Sequence, residues 1–149
     1  MSVTIEVVAE ATDEVVAALN RLLPQLSASA APMDAAALAR VAEWPGNRLL
    51  VARVDGMVVG TLTLVVFPVA TGVRARIEDV VVDEAARGRG IGTALTREAV
   101  RLARAAGARS VDLTSRPSRE AANRLYERLG FRRRDSTIYR LTAVDPQAT

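Results

Sequence analysis

The chain has 149 residues, half of them apolar and a quarter charged, with a formal net charge of +3. This length and composition predict one globular domain over residues 1–149 that buries roughly two-thirds of its unfolded surface. The chain contains no cysteine and no histidine. That absence excludes Ser-His-Asp and Cys-His nucleophilic catalysis, a Cys/His zinc site and disulfides. The spacing of the carboxylates does not suggest a metal site either, so none is expected.

Arginine supplies all 20 basic residues, which excludes a Schiff-base lysine and the lysine-containing P-loop signature. The charge is uneven: residues 1–73 have a net charge of −3, whereas residues 74–140 have a net charge of +7. A basic half predicts a compact anionic ligand, such as a phosphorylated cofactor. Nucleic acid is the competing interpretation, but aromatic residues, which usually accompany arginine at such interfaces, make up only 3% of the chain. No nucleic-acid partner is therefore predicted.

Residues 1–10 lack a basic segment followed by a long apolar stretch, and no apolar run approaches the length of a membrane span. The sequence therefore predicts no signal peptide, no membrane partner and a cytoplasmic location.

Hydrophobic periodicity divides the chain into strands and helices. Alternating or continuous short apolar runs predict strands, and apolar residues at helical spacing predict helices. The predicted strands cover residues 3–8, 48–54, 57–67, 73–83, 109–114 and 131–141, and the predicted helices cover residues 12–27, 33–44, 90–106 and 118–129.

Local signals set the boundaries of several elements. Thr12 is suited to cap the first helix, and Pro24 predicts a kink or an early stop near Leu23. Asp55-Gly56 between two apolar runs predicts a hairpin. A single strand–helix–strand crossover from strand 73–83 to strand 109–114 predicts that these two strands are parallel. The result is an α/β (α+β) fold with a mixed sheet and helices on its faces.

A glycine-rich segment, Arg87-Gly88-Arg89-Gly90-Ile91-Gly92-Thr93, lies between a predicted strand and a predicted helix. Glycines leave backbone N–H groups uncovered, and the helix after the segment adds its first-turn donors and its positive dipole end. With its two arginines, the segment predicts a pyrophosphate site. The simpler interpretation is a glycine-rich turn with solvated arginines. A Rossmann turn is disfavoured because the spacing is G-x-G-x-G and one crossover cannot build two nucleotide-binding halves.

Three segments together resemble the GNAT superfamily of acyl-CoA N-acyltransferases. Residues 87–92 match its Q/R-x-x-G-x-G/A pattern, and residues 77–83 resemble its fourth strand. Residues 122–131, with the letters ANRLYERLGF, resemble its A-x-x-L-Y-E-x-L-G-F segment. The strict match covers about residues 77–131, and the order of elements in the whole chain agrees with the GNAT fold.

The resemblance implies a mostly antiparallel sheet of about six or seven strands with helices on both faces. It also implies that strand 73–83 carries a bulge near Val81 or Val82 and splays from strand 109–114, so that the pantetheine arm of acetyl-CoA can enter and pair with main-chain groups of Val80 and Val82. The cofactor-binding residues that it implies are Val80, Val81, Val82, Arg87, Gly88, Arg89, Gly90, Ile91, Gly92, Thr93 and Asn123.

The implied chemistry is direct attack of a primary amine on the thioester, without an acyl-enzyme. The acceptor is a small molecule or a peptide, and the likeness of residues 77–82 to the same strand of glucosamine-phosphate acetyltransferases is only local. Exposed sheet edges in this family can pair two copies into a homodimer. The alternatives are a non-catalytic acyl-CoA-binding regulatory module and an arginine-rich nucleic-acid-binding domain.

Glu78 and Asp79 are adjacent carboxylates in an otherwise apolar strand. Neighbouring strand residues face opposite sides, so one carboxylate is expected to face the cleft and accept the amine proton, directly or through water. Glu78 is favoured because it would share the side of Val80 and Val82. A bulge upstream of Val80 would favour Asp79 instead. Ion pairing with Arg74 or Arg76 across strands is the structural alternative for either carboxylate.

By resemblance, Tyr126 protonates the departing CoA thiolate or donates a hydrogen bond to it, and a phenol keeps its proton at neutral pH. The alternative for Tyr126 is simple packing on its helix. Asn123 could bind the pantetheine or orient Tyr126. Many GNAT members carry an asparagine seven residues before the tyrosine, where this chain has Arg119, and Arg119 could reach a CoA phosphate. Trp44 is either a core residue or a wall of the substrate site.

Overall fold

The computed structural model describes residues 2–143. They form a five-stranded sheet in the order β1-β2-β3-β4-β5, with four α-helices. The elements are β1 (Val3–Val7), α1 (Asp13–Leu26), α2 (Ala35–Glu43), β2 (Asn47–Val54), β3 (Met57–Val69), β4 (Gly72–Val82), α3 (Ile91–Ala105), β5 (Val111–Asp112) and α4 (Glu120–Arg128), with a 3-10 turn at Glu84–Ala86.

Strands β1 to β4 pair antiparallel in chain order. The predicted hairpin between β2 and β3 is confirmed. Its two turn residues, Asp55 and Gly56, have φ values of 50° and 80°, and positive φ at both central positions is the geometry whose twist suits a two-residue hairpin.

The crossover to β5 produces a parallel pair, as predicted, but a very short one. The ladder joins only Ala75 to Val111 and Arg76 to Asp112. Beyond Arg76, the rest of β4 has no strand partner on this side among residues 2–143. The pairing of β4 with β5 therefore ends in the part of β4 where the family resemblance implies a splay.

The helices cover both faces of the sheet, as predicted. On the α3 face, α3 packs on a cluster that includes the fully buried Leu50, Leu62 and Leu95. On the α1/α2 face, those two helices pack on a second cluster that includes Leu22 and Leu38. Each strand of the sheet interior alternates between the two clusters, which is the period-2 pattern of a sheet buried on both faces.

The first helix covers almost the whole predicted span of residues 12–27, without the early stop that Pro24 predicted. The Thr12 hydroxyl accepts a hydrogen bond from the Val15 N–H at 3.3 Å, as an N-cap does. The helix does not stop near Leu23, since the Ser27 N–H donates to the Leu23 carbonyl at 3.0 Å and the helix extends to Leu26. Leu26 packs against the α1/α2-face cluster, and this tertiary contact outweighs the local cost of Pro24.

The prediction of a last strand over residues 131–141 is wrong, and within residues 2–143 the sheet has five strands instead of six or seven. Only Phe131 at its start packs against a core cluster. Ile138, Tyr139 and Leu141 are 62%, 91% and 92% exposed. The polar run of residues 132–137 interrupts the apolar pattern, so the segment offers no continuous apolar side to the sheet.

Among the helices of residues 2–143, none combines the length and the apolar character needed to cross a membrane.

Candidate functional site

The glycine-rich loop leads from the end of β4 into α3. Gly90 is the N-cap of α3, with a φ of 77° and no side-chain cap hydrogen bond, and Gly88 has a φ of 79°. A Cβ atom added at either position would meet no atom within 4 Å. The first turn of α3 therefore faces an open surface, and its N–H donors and positive dipole end suit an anion there.

The side chains of this loop differ in their surroundings. Arg87 and Arg89 are exposed, and the Arg87 Nε donates to the Val82 carbonyl at 3.4 Å. Ile91 is 1% exposed because its side chain packs in the α3-face cluster. Ile91 can therefore offer only its main chain to a ligand. Thr93 is half-buried in the first turn of the helix.

Helix α1 holds the start of this loop, an arrangement that sequence reasoning missed. The Gln25 Oε1 accepts a hydrogen bond from the Glu84 N–H at 3.0 Å. One turn earlier, Arg21 lies 3.6 Å from the Asp83 carboxylate and donates to the Val58 carbonyl at 2.6 Å. The i,i+4 spacing of Arg21 and Gln25 places both on one side of the helix, but nothing in the sequence pairs them with residues about 60 positions later. These contacts join the helix over one face of the sheet to the loop at its edge.

Strand β4 carries a bulge at Asp79 and Val80. In the register with β3, Thr63 lies opposite Glu78 and Thr61 opposite Val81, so two residues of β4 face the single Leu62. Asp79 is one of these two residues and has a φ of 51°. The expectation of a bulge near Val81 or Val82 is thus corrected to Asp79 and Val80. A bulge inserts one unpaired residue and turns the side chains after it.

The bulge places both carboxylates on one face, whereas the sequence predicted opposite faces. Ile77 packs in the α3-face cluster, so Glu78 points to the other face. Asp79 lines a pocket under α1 and α2, which is that same face. Val80 and Val82 pack with the α3-face cluster, so the expectation that Glu78 shares their side is wrong.

The pocket beside Asp79 is small and mostly apolar, with a volume of about 60 Å³. Helices α1 and α2 and the segments beside them contribute Leu19, Leu23, Met33, Leu38 and Val41, and the sheet contributes Leu49, Thr61, Thr63 and Asp79. The Thr61 hydroxyl donates to the Leu50 carbonyl at 2.8 Å. Asp79 is thus the one ionisable side chain among the residues that line this pocket.

The two carboxylates have different environments. The Glu78 Oε1 pairs with the Arg76 Nε at 2.9 Å, and both side chains are substantially exposed. Arg76 also donates to the Thr114 hydroxyl at 2.9 Å, across the point where β4 and β5 separate. Asp79 is exposed as a whole residue, but desolvation at the pocket and then the charge of Glu78 raise the pKa of its carboxyl.

Helix α4 lies beside the start of α3 and the end of β4. A Cβ atom added at Gly92 would lie 3.3 Å from the Leu125 Cδ1 and 3.8 Å from the Val82 Cγ2. Gly92 therefore allows the close approach of the three elements. Tyr126, the next residue after Leu125, makes an edge contact with Phe131 at 5.9 Å between ring centroids.

Tyr126 is half-buried. Burial raises the pKa of its phenol, and the nearby Arg119 partly opposes this increase, so the phenol keeps its proton at neutral pH. Asn123, one turn earlier, donates from its Nδ2 to the Arg116 carbonyl at 3.0 Å. That bond holds the segment before α4 onto the helix.

Trp44 is neither a core residue nor part of the pocket. It is the C-cap of α2 and is 66% exposed. Within residues 2–143, no group of three carboxylates is arranged to hold a metal ion.

The described residues thus combine a helix start suited to an anion, an edge of β4 without a strand partner beyond Arg76, a carboxylate at an apolar pocket and a protonated phenol. The chemistry of this set suits a phosphorylated ligand and the transfer of protons.

The chain is similar in sequence to known acetyltransferases. Residues 9–131 match the model of the Acetyltransferase (GNAT) family. A glucosamine 6-phosphate N-acetyltransferase of Trypanosoma brucei brucei is 37% identical over 111 residues, which cover 69% of this chain and 74% of that protein.

Two solved structures share the fold over nearly the whole chain. A putative acetyltransferase from Agrobacterium tumefaciens is 28% identical with a TM-score of 0.82, covering 93% of this chain and 99% of that one. An acetyltransferase of Trypanosoma brucei is 30% identical with a TM-score of 0.78, covering 95% of this chain and 100% of that one. The chain therefore belongs to the GNAT acetyltransferase family and is an acyltransferase.

Proposed function

We propose that the protein transfers an acetyl group from acetyl-CoA to a primary amine of a small molecule, in a ternary complex and without an acyl-enzyme. The proposal rests on the positions of the start of α3 and of Asp79 relative to β4. The open start of α3 and the carboxylate of Asp79 flank the same stretch of β4, whose edge has no strand partner beyond Arg76 among residues 2–143.

In this proposal the pyrophosphate of acetyl-CoA lies against residues 87–93. Arginine charge and the first-turn N–H groups of α3 would bind it. The pantetheine would extend along Val80 and Val82, where the edge of β4 offers main-chain groups in place of a neighbouring strand. The absence of cysteine and histidine from the chain supports direct transfer, because no thiol or imidazole is present to form an acyl-enzyme.

The proton transfers are assigned to two side chains. Asp79 accepts a proton from the substrate ammonium, and the neutral nitrogen attacks the thioester carbonyl. A C–N bond forms as the C–S bond breaks. Tyr126 gives its proton to the thiolate and regains one from the nitrogen through solvent. Asp79 is preferred to Glu78 as the base because Glu78 is held by Arg76, whereas Asp79 faces the pocket.

Initial-velocity kinetics test the ternary complex. CoA release is measured while acetyl-CoA and a primary amine are both varied. Intersecting double-reciprocal lines are expected, because both substrates must be bound before transfer. Parallel lines would indicate a ping-pong reaction through a covalent intermediate and would contradict the proposal.

A further inference from the structure

The pocket beside Asp79 differs in character from the rest of the site. Its apolar lining comes from leucine and valine side chains of α1, α2 and β2 and from Met33, which precedes α2. None of the residues that line it is basic. The pocket has a volume of about 60 Å³. At about 15 Å³ for each water-sized group, it has room for roughly four non-hydrogen atoms.

The polar groups at the pocket are few. Thr61 is 2% exposed, and its hydroxyl proton is already given to the Leu50 carbonyl. Thr63 and Asp79 are the other polar side chains in the lining. A polyhydroxylated group inserted here would lose its hydrogen bonds to water without gaining hydrogen bonds to the pocket. An alkyl group has no such hydrogen bonds to lose and gains apolar contacts.

The pocket also lacks a partner for a phosphate. Arg76, on the same face of β4, is held by Glu78 and by Thr114. The Asp79 carboxylate at the pocket would repel a phosphate and attract an ammonium group.

We infer that this pocket selects acceptors in which the amino group carries a short, uncharged apolar substituent of about four non-hydrogen atoms, with Asp79 pairing the ammonium. The inference rests on the proposed acetyl transfer and names its acceptor class. This acceptor class excludes glucosamine 6-phosphate, the acceptor in the name of the Trypanosoma brucei brucei relative. That sugar phosphate is anionic and larger than the pocket.

A series of primary amines tests the inference on the full chain with acetyl-CoA. The series contains ethylamine, propylamine, butylamine, isobutylamine and hexylamine, with glucosamine 6-phosphate as the competing acceptor and CoA release as the readout. We expect kcat/KM to rise by about tenfold for each carbon that enters the pocket, up to about four carbons, and then to level off or fall. A higher kcat/KM for glucosamine 6-phosphate than for every alkylamine would overturn the inference.

Two pocket variants sharpen the test. Leu23→Ala enlarges the pocket from the partly exposed side of α1, and it is expected to shift the optimum towards the longer hexylamine. Val41→Phe narrows the pocket and is expected to shift the optimum towards ethylamine. Leu102→Ala is the matched control, because Leu102 is partly buried on the opposite face of the sheet and should leave the amine ratios unchanged. An unchanged optimum in both folded pocket variants would contradict the inference.

Acetyl-CoA binding is measured by thermal shift in the same samples. This measurement distinguishes failure of the acceptor class from failure of the proposed function. If acetyl-CoA binds but the alkylamines give no product, the acceptor class is wrong and the cosubstrate assignment stands. If acetyl-CoA does not bind, the proposed function itself fails.

Discussion

Glu78 and Asp79 are consecutive residues of β4, and both lie on the face of the sheet that α1 and α2 cover. The positive φ of Asp79 and the bulge opposite Leu62 produce this arrangement. The first carboxylate is neutralised by Arg76, and the second faces an apolar pocket. The bulge thus gives two adjacent acidic residues different chemical environments. Asp79, the less solvated of the two, lies at the proposed reaction centre.

Asp79→Asn is expected to lower kcat by about a hundredfold or more, because the amine loses its proton acceptor. Asparagine tolerates a left-handed backbone, so the bulge should persist. Glu78→Gln is the matched control, and its effect should stay below about fivefold because it removes only an exposed ion pair. Steady-state kinetics with both variants check the assignment, and the reverse order of effects would assign the base to Glu78.

Asp79 should also make stability depend on pH. Its pKa is raised in the folded protein, so the folded state holds this proton more strongly than the unfolded state. Stability from this group is therefore highest at low pH and is lost as the pH rises from 3.8 through the folded pKa. At pH 7, Asp79→Asn should melt at the same temperature as the parent protein or higher. A clear decrease in Tm would mean that the carboxylate stabilises the fold.

Gly90→Glu is expected to weaken acetyl-CoA binding by about tenfold or more, because a carboxylate would oppose the phosphates at the start of α3. The substitution also strains the left-handed backbone at φ 77°. Gly107→Glu matches this strain, since Gly107 has a φ of 82° and an equally open Cβ position beyond the other end of α3. Titration calorimetry compares the two variants. Equal affinities of the two variants for acetyl-CoA would contradict the binding of the pyrophosphate at this loop.

Tyr126→Phe is expected to lower kcat by about a hundredfold while leaving the affinity for acetyl-CoA nearly unchanged, because only the proton donor is lost. The phenylalanine ring keeps the edge contact with Phe131. Tyr139→Phe serves as the control because Tyr139 is 91% exposed. The kinetics require conditions in which the chemical step limits the rate. A kcat equal to that of the control would leave Tyr126 with a packing role only.

Arg53 joins three elements and should stabilise the fold above acidic pH. It pairs with Glu6 of β1 at 2.9 Å and with Glu14 of α1 at 2.8 Å, and it donates to the Gly56 carbonyl in the hairpin at 2.9 Å. Arg53→Met should therefore lower Tm at pH 7 by more than Arg101→Met, which breaks an ion pair within one helix.

The pH dependence of this difference is a second check. The hydrogen bonds from Arg53 are the main cause that lowers the pKa of Glu14 below 4.5. The stability from this pair is present above that value and is lost as the pH falls through the lower, folded pKa. The Tm difference between the parent protein and Arg53→Met should shrink as the pH is lowered towards 3. A difference that stays constant would show that the pair contributes through packing alone.

Much of the fold was predictable because it obeys local rules. The hairpin at Asp55-Gly56, the antiparallel strands and the crossover to a parallel strand all result from turn residues and periodicity. The last strand was mispredicted because Ile138, Tyr139 and Leu141 carry β-forming side chains but have no apolar side to bury. Strand propensity without such a surface does not decide the structure.

The site was predictable in type but not in arrangement. The glycine loop and the two carboxylates were visible in the sequence, but the register that puts both carboxylates on one face depends on one inserted residue at Asp79. A bulge depends on the pairing partner, and one inserted residue reverses the face to which every later side chain of the strand points. The contacts of Arg21 and Gln25 with the loop were equally hidden, because they join residues about 60 positions apart.

The most direct test of the central claim is the thermal unfolding of the protein with acetyl-CoA, CoA and NAD, measured in parallel at near-physiological salt. At a hundred times the Kd, a ligand adds about 2.7 kcal/mol of stability, enough to raise Tm by several degrees in a domain of this size. We predict that acetyl-CoA and CoA raise Tm and that NAD does not. A cooperative transition that neither CoA species shifts would contradict the account.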